Sequence, residues 1–177
     1  DPLYLARRLV RFASEDVGLA DPHALPQALA ARDAVQFIGL PEGALALTQA
    51  VVYLALAPKS NALYAAHGAA AREVRQGHNP PVPLHLRNAP TRTMRDLGYG
   101  RDYVYAHDTD AGIAAMECLP DALRGTQFYR PRGRGWEKEL AQRLQRIAAW
   151  RRRHAADTDG QAPRPRRPDP EPGKDET

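Results

Sequence analysis

The densest group of potential metal ligands in this 177-residue sequence is His107-Asp108-x-Asp110. An imidazole and two carboxylates in one short run can hold a divalent cation, and a bound cation can activate water for hydrolysis. Aspartates in such runs also cap turns, so the two readings compete. The remaining histidines, His23, His67, His78, His85 and His154, form no His-x-x-x-His pair, and the lone Cys118 has no cysteine partner. Lys59-Ser60 matches the last two positions of a phosphate-binding loop, Gly-x-x-x-x-Gly-Lys-Ser/Thr. Ala57-Pro58 stands where that loop needs its glycine turn, which argues against a phosphate cradle built from backbone amides. No Gly-x-Ser-x-Gly elbow is present, and Cys118 has no histidine or basic run beside it, so it reads as a free structural thiol.

Arginine offers a different chemistry. Residues 124–153 hold 10 basic and 2 acidic side chains, a net of +8, between two stretches that each carry a net of −2. Arg124, Arg130, Arg132, Arg134 and Arg151–Arg153 can contact backbone phosphates, with Tyr129 and Trp136 nearby for stacking. A solvated helix face explains the same charges, and arginine outnumbers lysine throughout the chain, as genomic composition alone can produce. Arg87, Arg130, Arg132 and Arg134 are the candidate contacts for DNA or a partner.

These residues are positioned by helices. Asp1-Pro2 and Asp21-Pro22 are cap-then-proline starts for helices over about residues 2–15 and 21–37. Pro26 is placed in the first turn of the second, because deeper in it would cost about 3 kcal/mol. A third helix over about 41–56 is apolar on nearly every side, the pattern of a helix buried in a domain or between subunits. A fourth, over about 60–76, is rich in alanine and ends at Gly77, and Asn79-Pro80-Pro81-Val82-Pro83 must run extended. Thr91 caps a short helix to Leu97, and residues 127–129 have the composition of a short strand. The last helix, over about 135–155, carries an apolar seam of Trp136, Leu140, Leu144 and Ile147. Leu47, Val51, Leu54, Leu140, Leu144 and Ile147 are the candidate residues of a self-association interface.

Composition bounds the rest. At 43% hydrophobic the chain can build a core, and no apolar run reaches the roughly 18 residues that a membrane span needs. One cysteine rules out an intrachain disulfide and fits a cytoplasmic setting. The chain opens directly on a helix cap at Asp1, no signal peptide is expected in it, and it is expected to be a piece of a longer protein. Residues 1–155 are expected to form an all-α domain with irregular polar loops and at most one short hairpin. Residues 156–177, with five prolines and no large apolar side chain, are expected to be a disordered tail.

Three polar blocks interrupt the helices. They are Ala57-Pro58-Lys59-Ser60-Asn61, then Val82-Pro83-Leu84-His85-Leu86-Arg87-Asn88-Ala89-Pro90-Thr91, then Leu97-Gly98-Tyr99-Gly100 with Tyr103-Val104-Tyr105-Ala106-His107-Asp108. With Ala6 to Asp16, Gly18-Leu19-Ala20, Gly39 to Gly43 and Leu119-Pro120-Asp121, they give roughly residues 3–150 a resemblance to the C-terminal region of the replication-associated recombination protein A family, also called the MgsA family. These are AAA+ ATPases related to clamp loaders. The resemblance implies a compact helical domain like a clamp-loader collar, assembling the protein as a homotetramer. It implies ATP and Mg in an ATPase module that this chain lacks, so no catalytic, cofactor-binding or metal-binding residue is expected here. Through the parent protein it implies single-strand-binding protein and DNA as partners, work at stalled replication forks, and a nucleoid-associated location. The rival is a monomeric DNA- or partner-binding module using the basic residues 124–153. In the 82–91 block, His85, Arg87 and Asn88 are expected to brace the loop, with a partner groove as the alternative.

Overall fold

The computed structural model describes residues 1–77 and 80–154. Six α-helices, with short 3-10 and π-type turns between them, make up its regular structure; no strand occurs among the described residues, so neither the short strand read at 127–129 nor a hairpin forms among them. The predicted tail, and the start of the proline-rich linker after Gly77, lie outside the described residues.

Helix α1 (Pro2–Phe12) starts where the cap chemistry placed it, with Asp1 Oδ1 accepting from the Leu3 N–H at 2.9 Å. It ends earlier than periodicity predicts, in a wider π-type turn over Ala13–Val17. Helix α2 (Ala24–Ile38) also starts later than predicted, because Asp21 closes a local turn on the His23 N–H at 3.0 Å and the helix begins beyond it. Pro26 sits in its first turn, as the missing amide demands. Helix α3 (Ala44–Leu56) follows a cis Leu40–Pro41 peptide and a turn in which a side chain on Gly43 would run into the Gly39 carbonyl. Helix α4 (Ala62–Arg75) is capped from outside by Ser60 Oγ, which accepts from the Ala62 N–H at 3.3 Å.

The chain divides into two compact units. In the first, Asp1–Pro80 with Leu123–Ala149, helices α1, α2 and α3 pack on one another. Their interior is built mainly from small residues. Ala13, Val17, Ala24, Ala28, Leu54 and Ala57 form one buried cluster, and Ala6, Ala31, Val35, Leu47 and Ala50 the other. Alanine at the contact lets helix axes approach closely, and it leaves large side chains to find places elsewhere. Helix α6 (Glu137–His154) starts in this unit and is not closely paired with any of α1 to α4.

The second unit holds Pro81–Ala122 and the end of α6 from Trp150. It contains the five-residue helix α5 (Arg92–Asp96), capped by Thr91 Oγ1 on the Met94 N–H at 3.2 Å, and several tight turns. Side chains of His85, Arg87, Arg95 and Thr109 make hydrogen bonds within these loops.

Candidate functional site

Among the described residues, a buried polar node lies in the first unit, where the 57–61 block meets the start of α6. Glu137 is fully buried. Its Oε2 accepts from Ser60 Oγ at 2.9 Å and from the Arg132 N–H at 2.8 Å, and its Oε1 accepts from the Tyr129 hydroxyl at 2.9 Å. Three donors on one buried carboxylate satisfy most of its lone pairs without a cation. Burial, and then the bond to Glu137, pushes the Tyr129 phenol well above its ordinary range. The Ser60 N–H donates to the Asp16 carbonyl at 2.7 Å, and the Trp136 N–H to the Ala20 carbonyl at 2.9 Å. Gly135 has φ +51°, and a Cβ there would overlap the Ala20 carbonyl and the Pro58 ring. Only glycine lets the chain pass at that point. Residues 16–20, 58–60 and 129–137 are thereby joined into one structural knot.

This knot accounts for the phosphate-loop echo at Lys59-Ser60. Lys59 Nζ donates to the Ala55 and Ala57 carbonyls and lies 5.7 Å above the Phe12 ring, while Ser60 Oγ serves Glu137 and the cap of α4. Both side chains are committed to the fold, and with no glycine turn before them they do not fit nucleotide phosphates. His107 and Asp108 share a 3-10 turn, Ala106–Asp108, with the His107 ring 5.0 Å from that of Tyr105. Among the described residues no group of three His, Cys, Asp or Glu side chains is placed to hold a metal ion. Cys118 is exposed, and its Sγ lies 3.9 Å from the Met116 carbonyl.

The four candidate arginines separate. Arg87 is a brace: its Nε donates to the Val82 carbonyl at 2.7 Å, Nη1 reaches the Tyr99 hydroxyl at 3.2 Å, and the guanidinium lies 5.1 Å from the Tyr99 ring centre. His85 Nε2 completes the clamp at 2.7 Å from the Glu117 carbonyl. Arg130, Arg132 and Arg134 are exposed, and Arg134 Nη1 donates to the Lys59 carbonyl at 3.3 Å.

The candidate interface residues divide as well. Leu47 and Leu54 are buried in the three-helix core, 8% and 2% exposed, so they have no surface for a partner, and their assignment to an interface is corrected. They are the inward stripe of α3, where Leu47, Ala50 and Leu54 follow helical spacing. Val51 is exposed at the edge of that stripe. Leu140 and Ile147 are half-buried and Leu144 is exposed, so the α6 seam is only partly open. Overlooked in the sequence were the residues on the opposite side of α3: Leu45 and Leu56 are 75% and 81% exposed, and Val52 lies between them in register. Phe37, at the end of α2, is 93% exposed, with Ile38 and Leu40 also outside. Even hydrophobicity around α3 hid which side faces out, and only packing reveals it. No helix among the described residues is long and apolar enough to cross a membrane.

Residues 1–148 match the family model described as MgsA AAA+ ATPase C terminal. The chain is 50% identical over 160 residues to the replication-associated recombination protein A of Coxiella burnetii, covering 90% of this chain and 36% of that protein. It is 49% identical over 148 residues to the protein of the same name in Haemophilus influenzae, and 48% over 149 residues to that of Escherichia coli K12, covering 83% and 84% of this chain and 33% of each relative. The chain thus spans about a third of the length of these relatives.

Proposed function

The chain belongs to the MgsA AAA+ ATPase C-terminal family, and we propose on that footing that it is a non-catalytic assembly domain, holding the ATPase modules of a longer protein together as a homotetramer. The parent would be an ATPase acting in replication-associated recombination, with ATP and Mg bound in its ATPase module and with DNA and single-strand-binding protein as partners. Tethering of this kind raises the effective concentration of neighbouring modules without adding a contact between them.

The observation that carries the assembly role is the outward side of α3. A helix without a single charged residue buries one stripe and leaves Leu45, Val52 and Leu56 in solvent. Full coverage of such a side chain is worth about 1.5–3 kcal/mol, so three of them on each copy give a partner contact substantial driving force. The same face on a second copy meets it with no like-charge repulsion.

Light scattering across a concentration series tests this reading. The chain is expected to hold a mass near four times its monomer, and Leu45→Asp with Leu56→Asp to reduce that mass while leaving helical circular dichroism unchanged. A wild-type chain that is monomeric at every concentration overturns the assembly role.

A further inference from the structure

We infer that Tyr103, Tyr105 and His107 form a docking ladder for the arginine- and proline-rich segment 163–168 of this same chain. Exposure alternates along the ladder. Tyr103, Tyr105 and His107 are exposed, and Val104 and Ala106 between them are half-buried. The Tyr105 and His107 rings lie 5.0 Å apart at 49° to each other. The backbone beneath them is closed. The Asp108 N–H donates to the Tyr105 carbonyl at 2.9 Å, and Thr109 Oγ1 lies 2.8 Å from the Ala106 carbonyl while accepting from the Ile113 N–H at 3.1 Å. Rings carried on a fixed backbone lower the ordering cost of binding.

Carboxylates flank the ladder in sequence. Asp102, Asp108 and Asp110 are exposed, and none forms an ion pair with a described residue. Aromatic rings beside uncompensated carboxylates suit a segment that mixes prolines with arginines. Proline rings pack on aromatic surfaces in the polyproline conformation, which needs little further ordering. Guanidiniums pair with carboxylates and stack on rings. Pro163-Arg164-Pro165-Arg166-Arg167-Pro168 has this composition and carries no acidic side chain. In a polyproline helix residues three apart share one edge about 9 Å apart. Pro165 and Pro168 then face the rings together, and Arg166 and Arg167 stand between them to meet the aspartates.

The path of the chain favours this occupant. Helix α6 ends at His154, and from Trp150 it belongs to the same compact unit as the ladder. The chain from His154 to Pro163 spans up to roughly 30 Å, and a unit of this size has a radius of gyration of about 9 Å. The segment therefore reaches the ladder of its own chain, and the covalent link keeps its effective concentration high. No residue of the ladder belongs to the outward face of α3, so the inference stands apart from the assembly role.

The test uses the full 177-residue chain and a fluorescein-labelled peptide of residues 161–168, followed by anisotropy. Replacing Arg164, Arg166 and Arg167 together by glutamate sets the segment against the aspartates and frees the ladder. That variant is expected to bind the added peptide about tenfold or more tightly than the wild-type chain, whose own segment competes. Adding Tyr105→Ser and His107→Ser to the freed variant is expected to weaken peptide binding about fivefold or more. Adding Asp108→Asn and Asp110→Asn instead is expected to weaken it severalfold and to flatten its salt dependence. All four side chains are exposed, and circular dichroism verifies that the helices are retained. No binding by the freed variant, or equal binding by the freed and wild-type chains, overturns the inference. Equal binding of a peptide with Pro163, Pro165 and Pro168 replaced by alanine also overturns it, and leaves charge attraction without a proline site.

Discussion

Removing the carboxylate at Glu137 should loosen the knot that joins α6 to the three-helix unit. In Glu137→Ala, Ser60 Oγ and the Arg132 N–H lose their acceptor in a site from which Glu137 itself is wholly excluded from water. The Tyr129 hydroxyl, on a half-buried side chain, can turn to solvent. A buried donor left without a partner costs about 1–3 kcal/mol, and two of them together with the vacated volume give a loss of about 4 kcal/mol. For a chain of this size that corresponds to a fall in Tm of about 8–16 °C. Glu137→Gln keeps the shape and one acceptor oxygen but turns an amide NH2 toward at least one donor, so about half of that loss is expected. Urea unfolding at one fixed protein concentration measures both, because self-association would otherwise add to the apparent stability. The midpoint should shift with the slope unchanged. A double-mutant cycle with Ser60→Ala should return a coupling energy of about 1–3 kcal/mol. An alanine variant within about 0.5 kcal/mol of the wild type would refute the reasoning, since ordinary surface changes fall in that range.

Gly135→Ala should cost about 2–4 kcal/mol in the same unfolding assay, because the added carbon meets backbone at Ala20. Gly125→Ala, equally left-handed at φ +76° but with open space around it, should cost only about 1–2 kcal/mol. The Tyr129 phenol, raised on folding, supports stability fully at pH values below its ordinary pKa of about 10 and loses that support as pH climbs toward the folded-state value. Stability should therefore decline above about pH 10, and Tyr129→Phe should flatten the decline. Tyr53, raised by its bond to Asp21, retains a share of it. Arg87→Ala should speed amide exchange over residues 82–100 while α1, α2 and α3 keep their protection, because its bonds to Val82 and Tyr99 lie wholly within the second unit. Parallel loss of protection in both units would show that Arg87 supports more than its own loops.

Cap chemistry was legible in the sequence because it is local. Asp1 and Thr91 cap the helices they were expected to cap, and Pro26 lies in a first turn. The sequence also marked the 57–61 block as special without showing why. Ser60 meets Glu137 across 77 positions of sequence, and no spacing rule reaches that far. Glu137 itself sits at the start of a helix, where an acidic residue is ordinary, so nothing local marks it as buried. The loop brace was foreseen in kind at Arg87 and His85, but its acceptors, the Val82 and Glu117 carbonyls and the Tyr99 hydroxyl, are set by how the turns close.

The faces of α3 show why apolar content is a poor guide to the interior. Periodicity separates inside from outside only when one side of a helix is polar, and α3 offers no such contrast. What decides its orientation is the size of its neighbours. α1 contributes Ala6 to the core, and α2 contributes Ala24, Ala28 and Ala31, so the helices come close and the space between them takes few large side chains. Leu47 and Leu54 occupy it, and Leu45, Val52 and Leu56 must then stand outside. A core built on alanine thus forces large apolar residues to the surface of this unit. Turning α3 to hide Leu45 and Leu56 would expose Leu47 and Leu54 instead, so no rotation of the helix removes the excess. Only a second surface laid over α3 would cover it, and the excess follows from the alanines as much as from the leucines.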